Sequence, residues 1–190
     1  EYFEAISTGS MEAIVMNKQN YKQVMKDNGC DEAAIEMVTN AIKFAEEENK
    51  AVDALHVNDK IFIVSEYITS IEGGRVSYVH ERQHNITKNR PELVQRILSL
   101  GLGRETMQKI VRMLSGSKFY ENKSDEVLAD EILSFTMEIA YTFDEFSVTL
   151  SKLGLPIELI NLINQINDEQ RKDFTLVNAR RNSNALDFGQ

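Results

Sequence analysis

Apolar side chains recur at helical spacing after Asp31: Ala34, Ile35, Val38, Ile42 and Ala45 share one stripe, the pattern of a helix with one buried face. Asp31 stands where an N-cap belongs. Upstream, residues 17–28 read as a shorter helix ended by Gly29, and residues 1–16 alternate weakly, as a strand or an ordered arm does. The pattern changes over 51–57 (AVDALHV) and 60–68 (KIFIVSEYI). Both stretches are rich in strand-forming residues, and Asn58-Asp59 between them suits a hairpin turn. Gly73-Gly74 then punctuates the chain. A helix is predicted over 75–89, stopped by Pro91, which disfavours helical geometry at Arg90 and suits the first turn of the next helix, 91–100. Helical periodicity continues over 103–114, 124–142, 143–153 and 156–166, with a last short piece over 168–178. The end, RRNSNALDFGQ, reads as a tail.

This order of elements predicts an α+β fold, mostly helical, with a small β-sheet or hairpin leading into the helix of 75–89. Three segments follow: 1–50, a strand or arm and helices packed on the core; 51–180, the main domain; and 181–190, a tail or linker. A length of 190 residues suits one such domain. Apolar residues make up 42% and charged residues 27%, and no apolar run approaches the ~18 residues of a membrane span. The net charge of −9 argues against a nucleic-acid footprint, which needs clustered Lys and Arg. One cysteine, Cys30, rules out an internal disulfide and a Cys-rich zinc cage. The start, EYFEAISTGS, has neither the basic region nor the apolar stretch of a secretory signal. The reading is a cytoplasmic protein, or a piece of a larger or secreted one, that does not bind membranes.

The chemistry lies in His80-Glu81-Arg82-Gln83-His84, an HExxH motif within the helix of 75–89. Positions i and i+4 share a helical face, so both imidazoles can reach one Zn²⁺ at ~2.1 Å. Glu81, one residue round, can take a proton from a metal-activated water and pass it to a leaving amine. The pattern is short and chance matches occur; the competing reading is a surface helix with unrelated histidines. Two of the three histidines in the chain nevertheless fall in it, and the residues before it are mostly apolar. Arg82 departs from this, placing a charge where an apolar residue is usual.

A catalytic zinc site needs a third protein ligand. No further histidine lies downstream, so a carboxylate is expected. In Ser124-Asp125-Glu126-Val127-Leu128-Ala129-Asp130-Glu131, Glu126 and Asp130 are i and i+4 on one face. Glu126 is read as the ligand and Asp130 as acceptor of the second N–H of a ligating imidazole. Glu131, well round the helix from Glu126, is the weaker candidate. The same acidic residues also suit the first turn of a helix capped by Ser124.

With His80, Glu81 and His84 followed by Glu126, Ala129 and Asp130, the sequence resembles the gluzincin branch of zinc metallopeptidases. It is also similar to metallopeptidase domains of large phage or mobile-element proteins. The resemblance covers about residues 60–142. It implies a zincin-like fold over 51–180, Zn²⁺ as cofactor and a peptide or protein substrate. It further implies that strand 60–68 pairs with an extended peptide through Ile63, Val64 and Ser65. An oxyanion-stabilising donor is also implied, with His56, Tyr67, Tyr120 and Tyr141 open as choices. The expected function is a metallopeptidase. The alternative is a non-catalytic helical interaction domain with an inactive or accidental HExxH motif, in which the seven methionines serve as adaptable contacts.

Overall fold

The computed structural model describes residues 12–49 and 51–186, without the side chains of 12, 71, 72 and 172–186. Residues 1–11 of the expected arm and the last four of the expected tail lie outside the described residues. In chain order the elements are β1 (Glu12–Met16), α1 (Tyr21–Asp27), α2 (Glu32–Glu47), β2 (Ala54–Val57), β3 (Lys60–Val64), α3 (Ile71–Asn89), α4 (Glu92–Leu98), α5 (Arg104–Ser115), α6 (Asp125–Thr142), α7 (Phe146–Lys152) and α8 (Ile157–Leu186). The fold is α+β and mostly helical, with a small three-stranded sheet.

Local chemistry sets most of these boundaries. Asp31 caps α2, its side chain accepting from the Ala34 N–H at 2.8 Å. Asn58 and Asp59 both take positive φ, 51° and 60°, as the tight turn that twists with a hairpin requires. The helix carrying the motif starts earlier than the glycines suggest. Ser70 caps α3, accepting from the Gly73 N–H at 3.0 Å, so Gly73-Gly74 fall in its first turn instead of breaking the chain. At the far end, 156–166 and 168–178 form one helix, α8. No Gly or Pro separates them, so nothing local stops the helix.

The strand order is β1-β3-β2. β1 runs parallel to β3, from Glu12↔Lys60 to Met16↔Val64, and the intervening α1 and α2 belong to the crossover that parallel strands need. β2 closes the hairpin antiparallel to β3, with Leu55↔Phe62 and His56↔Ile61. Side chains alternate across β3. Phe62 and Val64 pack with Met16, Met25, Ile35, Val38 and Ile42 on the α1–α2 side. Ile61 and Ile63 face the other way and bury Tyr78 of α3. The motif helix therefore lies on the sheet through Tyr78 and turns another face away from it.

Helices α4 to α8 share a second core, built on Leu93, Ile97, Val111, Leu128, Ile132, Leu133, Leu150, Leu159 and Ile163. Val79 and Ile86 of α3 pack against it, so α3 joins the sheet to the helical layer. Arg96 makes a two-armed pair with Glu169, at 2.7 and 3.0 Å, tying α4 to α8. No helix among the described residues is long and apolar enough to cross a membrane.

Candidate metal centre

The helical spacing of the motif does what the pattern requires. His80 and His84 sit one turn apart on α3, with their Nε2 atoms 3.0 Å from each other. Facing them is Glu131 of α6. Its Oε2 is 3.4 Å from His80 Nε2 and its Oε1 is 3.7 Å from His84 Nε2. The other ring nitrogens also meet α6. His84 Nδ1 is 2.7 Å from Asp130 Oδ2 and 3.3 Å from Ser134 Oγ. His80 Nδ1 lies 2.6 Å from Glu138 Oε1, an ion-pair distance that is off the direction in which a ring N–H donates. One helix thus holds His84 by its Nδ1 atom, sets the Glu138 carboxylate beside His80 Nδ1, and presents a single carboxylate to both Nε2 atoms. Carboxylates placed this way orient metal-binding histidines.

His80, Glu81 and His84 form a group that could hold a metal ion, their donor atoms all within 4.8 Å of one another. The donors fit a small ion. A tetrahedral ion with bonds of ~2.1 Å spaces its ligands about 3.4 Å apart, and the separations among His80, His84 and Glu131 straddle that value. Glu131 is only 9% exposed, and its Oε2 is buried without a hydrogen-bond partner. A carboxylate oxygen left so is costly unless a cation faces it.

The electrostatics point the same way. Burial works against charge on His80, yet the carboxylates of Glu131 and Glu138 beside its ring hold its pKa well above the ordinary imidazole value. Burial also opposes charge on His84, and Asp130 outweighs it, again raising the pKa. Glu81 is raised by burial, only partly offset by the neighbouring histidines. Glu81, Asp130, Glu131 and Glu138 crowd two imidazoles, an excess of negative charge that favours a cation between them.

Glu126, the expected third ligand, is not part of this cluster. It is exposed in the first turn of α6. There its own backbone N–H and the Ser124 hydroxyl hold its pKa below the usual carboxylate range, as the open N–H groups of a helix start do for an acidic side chain. It lies five residues from Glu131, about 7.5 Å along the axis. Asp130 is where expected, on a ligand-candidate imidazole. The expected peptide-pairing residues are also misplaced. β3 is the central strand: Ile63 and Val64 are buried, and Ser65 donates its N–H to Met16. Its two edges are already occupied by β1 and β2. Arg82 is half-buried and, despite its charge, leaves the motif's geometry intact.

Among the described residues, the unpaired strand edge near the histidines belongs to β2. A cleft of about 620 Å³ opens there, lined by Asp53, Ala54, Leu55 and His56 on one side and by Ser77, His80, Glu81 and His84 on the other. Phe44 of α2 and Phe119, Tyr120 and Val127 complete its walls. The backbone N–H of His56 faces the Glu81 carboxylate and lowers its pKa slightly against the larger effect of burial. Of the expected oxyanion donors, Tyr120 and His56 line the cleft, and burial together with the nearby Glu131 and Glu81 carboxylates raises the Tyr120 pKa. Tyr67 instead lies beneath Lys18, and Tyr141 is exposed away from the cleft.

Spacing ranked Glu131 below Glu126 and missed Glu138, Asp53 and Ser134. A signal for the two glutamates is present. They are the only charged residues in the stretch EILSFTMEIA, and an acidic residue inside an apolar helical run needs a partner that an exposed one does not. Asp53 has no such mark. Comparison with protein-family models, with curated proteins and with solved structures finds no match to this chain, so its reading rests on the site itself.

Proposed function

We propose that the protein is a zinc-dependent peptidase, with His80, His84 and Glu131 holding the ion and Glu81 acting as general base. One observation carries this. Two Nε2 atoms one helical turn apart converge on a buried carboxylate, one oxygen of which accepts no hydrogen bond among the described residues, a donor set of the His₂Glu kind found in catalytic zinc sites. When bound, the ion supplies Lewis acidity, polarising a carbonyl and lowering the pKa of water toward ~7. Asp130 and Glu138 keep the imidazoles turned toward the ion. Glu81 sits beside the donors without completing the set, and its raised pKa suits a group that accepts a proton and returns it to a leaving amine. The edge of β2 offers backbone groups to an extended peptide, which would lie along Ala54, Leu55 and His56. Tyr120, which lines the cleft near Glu131, would be the donor to a carbonyl oxygen.

Metal analysis tests the site. Protein purified without added zinc is expected to carry close to one equivalent, lost in His84→Ala and in Glu131→Ala. Casein digestion followed by mass spectrometry tests the chemistry: Glu81→Gln should keep the zinc and lose roughly 10²–10⁴-fold in rate. Zinc retained by Glu131→Ala removes Glu131 from the site. A zinc-loaded wild type that cuts no peptide removes the peptidase reading and favours a metal-binding domain without turnover.

A further inference from the structure

The cleft extends past the histidines to Asp53, just ahead of β2. Asp53 is fixed there: its backbone carbonyl accepts the Val64 N–H at 2.9 Å. Its Oδ2 lies 3.4 Å from the Ser77 hydroxyl. Its Oδ1 is shut off from water and has no hydrogen-bond partner. Ser77 is three residues before His80, on the same face of α3 and about 5 Å along the helix. Glu138, which touches His80, adds negative charge nearby. Among the described residues, no Lys or Arg side chain pairs with Asp53. Burial pushes its carboxyl up, the Ser77 hydroxyl offsets only part of this, and Glu138 adds to it.

We propose that Asp53 is a specificity residue of the cleft, receiving the ammonium or guanidinium group of a Lys or Arg side chain next to the bond that is cut. The inference rests on the peptidase reading of the same cleft. A half-buried carboxylate beside the cleft gains most from a partner that brings both charge and N–H donors. A cationic side chain brings both, whereas an apolar one leaves Asp53 as it is and an acidic one meets repulsion from Asp53 and Glu138. Ser77, which Asp53 meets, lies one helical turn before His80, so the subsite would take a side chain close to the scissile bond. Asp53 takes no part in holding the ion or moving the proton, so its effect falls on which peptide binds.

Fluorescence anisotropy tests this with labelled, N-acetylated decapeptides of one sequence that differ at a single central position: Lys, norleucine or Glu. Binding is measured in a Glu81→Gln background so that peptide is not consumed. The Lys peptide is expected to bind about tenfold or more tightly than its norleucine counterpart. Asp53→Asn should abolish that difference while leaving norleucine binding unchanged, and Asp53→Lys should shift preference to the Glu peptide. Circular dichroism and zinc content report that each variant folds. Equal binding of the Lys and norleucine peptides overturns the proposal, as does a Lys preference that survives in both variants. A preference seen only for peptides with a free N-terminal amine overturns it too, because the terminus would then be the cation read. Cleavage by the zinc-loaded wild type is scored separately. A charge preference without cleavage sinks the peptidase reading and keeps the subsite; cleavage indifferent to charge does the reverse.

Discussion

Glu126 and Glu131 are the same residue type on the same helix, and their surroundings separate them. Glu126 rests on the open N–H groups of the first turn in contact with water. Glu131 is buried opposite the two imidazoles, with little water to stabilise its charge. Burial turns a carboxylate into a demand for a cation, and the imidazoles opposite supply donors for the same ion. The two acids should therefore behave differently from each other and from Asp130. Competition of the zinc-loaded protein against a chelating dye should show no change in zinc affinity for Glu126→Ala. For Asp130→Ala, which removes the acceptor of the His84 Nδ1 proton, affinity should fall about 10–100-fold. Equal affinities in Asp130→Ala and wild type would mean that Ser134 alone orients the ring.

Helix α3 is held at both ends and on two faces. Ser70 caps its start, Pro91 follows its end, Tyr78 docks it on β3, and Val79 and Ile86 meet the helical core. The cap permits two glycines in the first turn, since a side-chain acceptor for the Gly73 N–H offsets part of their backbone entropy. Ser70→Ala is expected to cost about 1 kcal/mol, lowering Tm by roughly 2–4 °C for a chain of this size. Zinc stoichiometry should not change, because the motif lies nearly three turns further along; thermal melts with metal analysis check both. A loss of zinc with the cap would show that the first turn positions His80 directly.

Across the whole molecule, two cores meet along α3, and the polar cluster lies where α3 faces α6. This placement sets a pH dependence. His80 and His84 have folded pKa values raised above 6.5, and Glu81 is raised above 4.5. A raised value means that the folded, metal-free protein holds protons more tightly than the unfolded chain. That stability is fully present below the ordinary value and is lost as pH rises through the folded value. Metal-free Tm should therefore decline as pH is raised above 6.5. The ion competes with those protons, so the Tm gain on adding zinc should grow over the same range. Melts of chelator-treated protein with and without zinc, from pH 6 to pH 8.5, measure both slopes. A zinc-induced gain that shrinks with rising pH would contradict the assignment of the imidazoles as ligands.

Local order was legible in the residues themselves. The stripe of α2, its Asp31 cap, the Asn58-Asp59 turn and the convergence of His80 and His84 are each settled within a few positions, because backbone sterics and helical periodicity act over that range. The strand order was not legible: β1 pairs with β3 from 48 positions away, making β3 central and leaving β2 as the edge that lines the cleft. The carboxylate facing the histidines was decided the same way. Helical spacing marks which acids share a face of α6 but not which face turns toward α3. That was settled by packing, when Leu128, Ile132 and Leu133 entered the helical core and brought Glu131 and Glu138 around to the imidazoles.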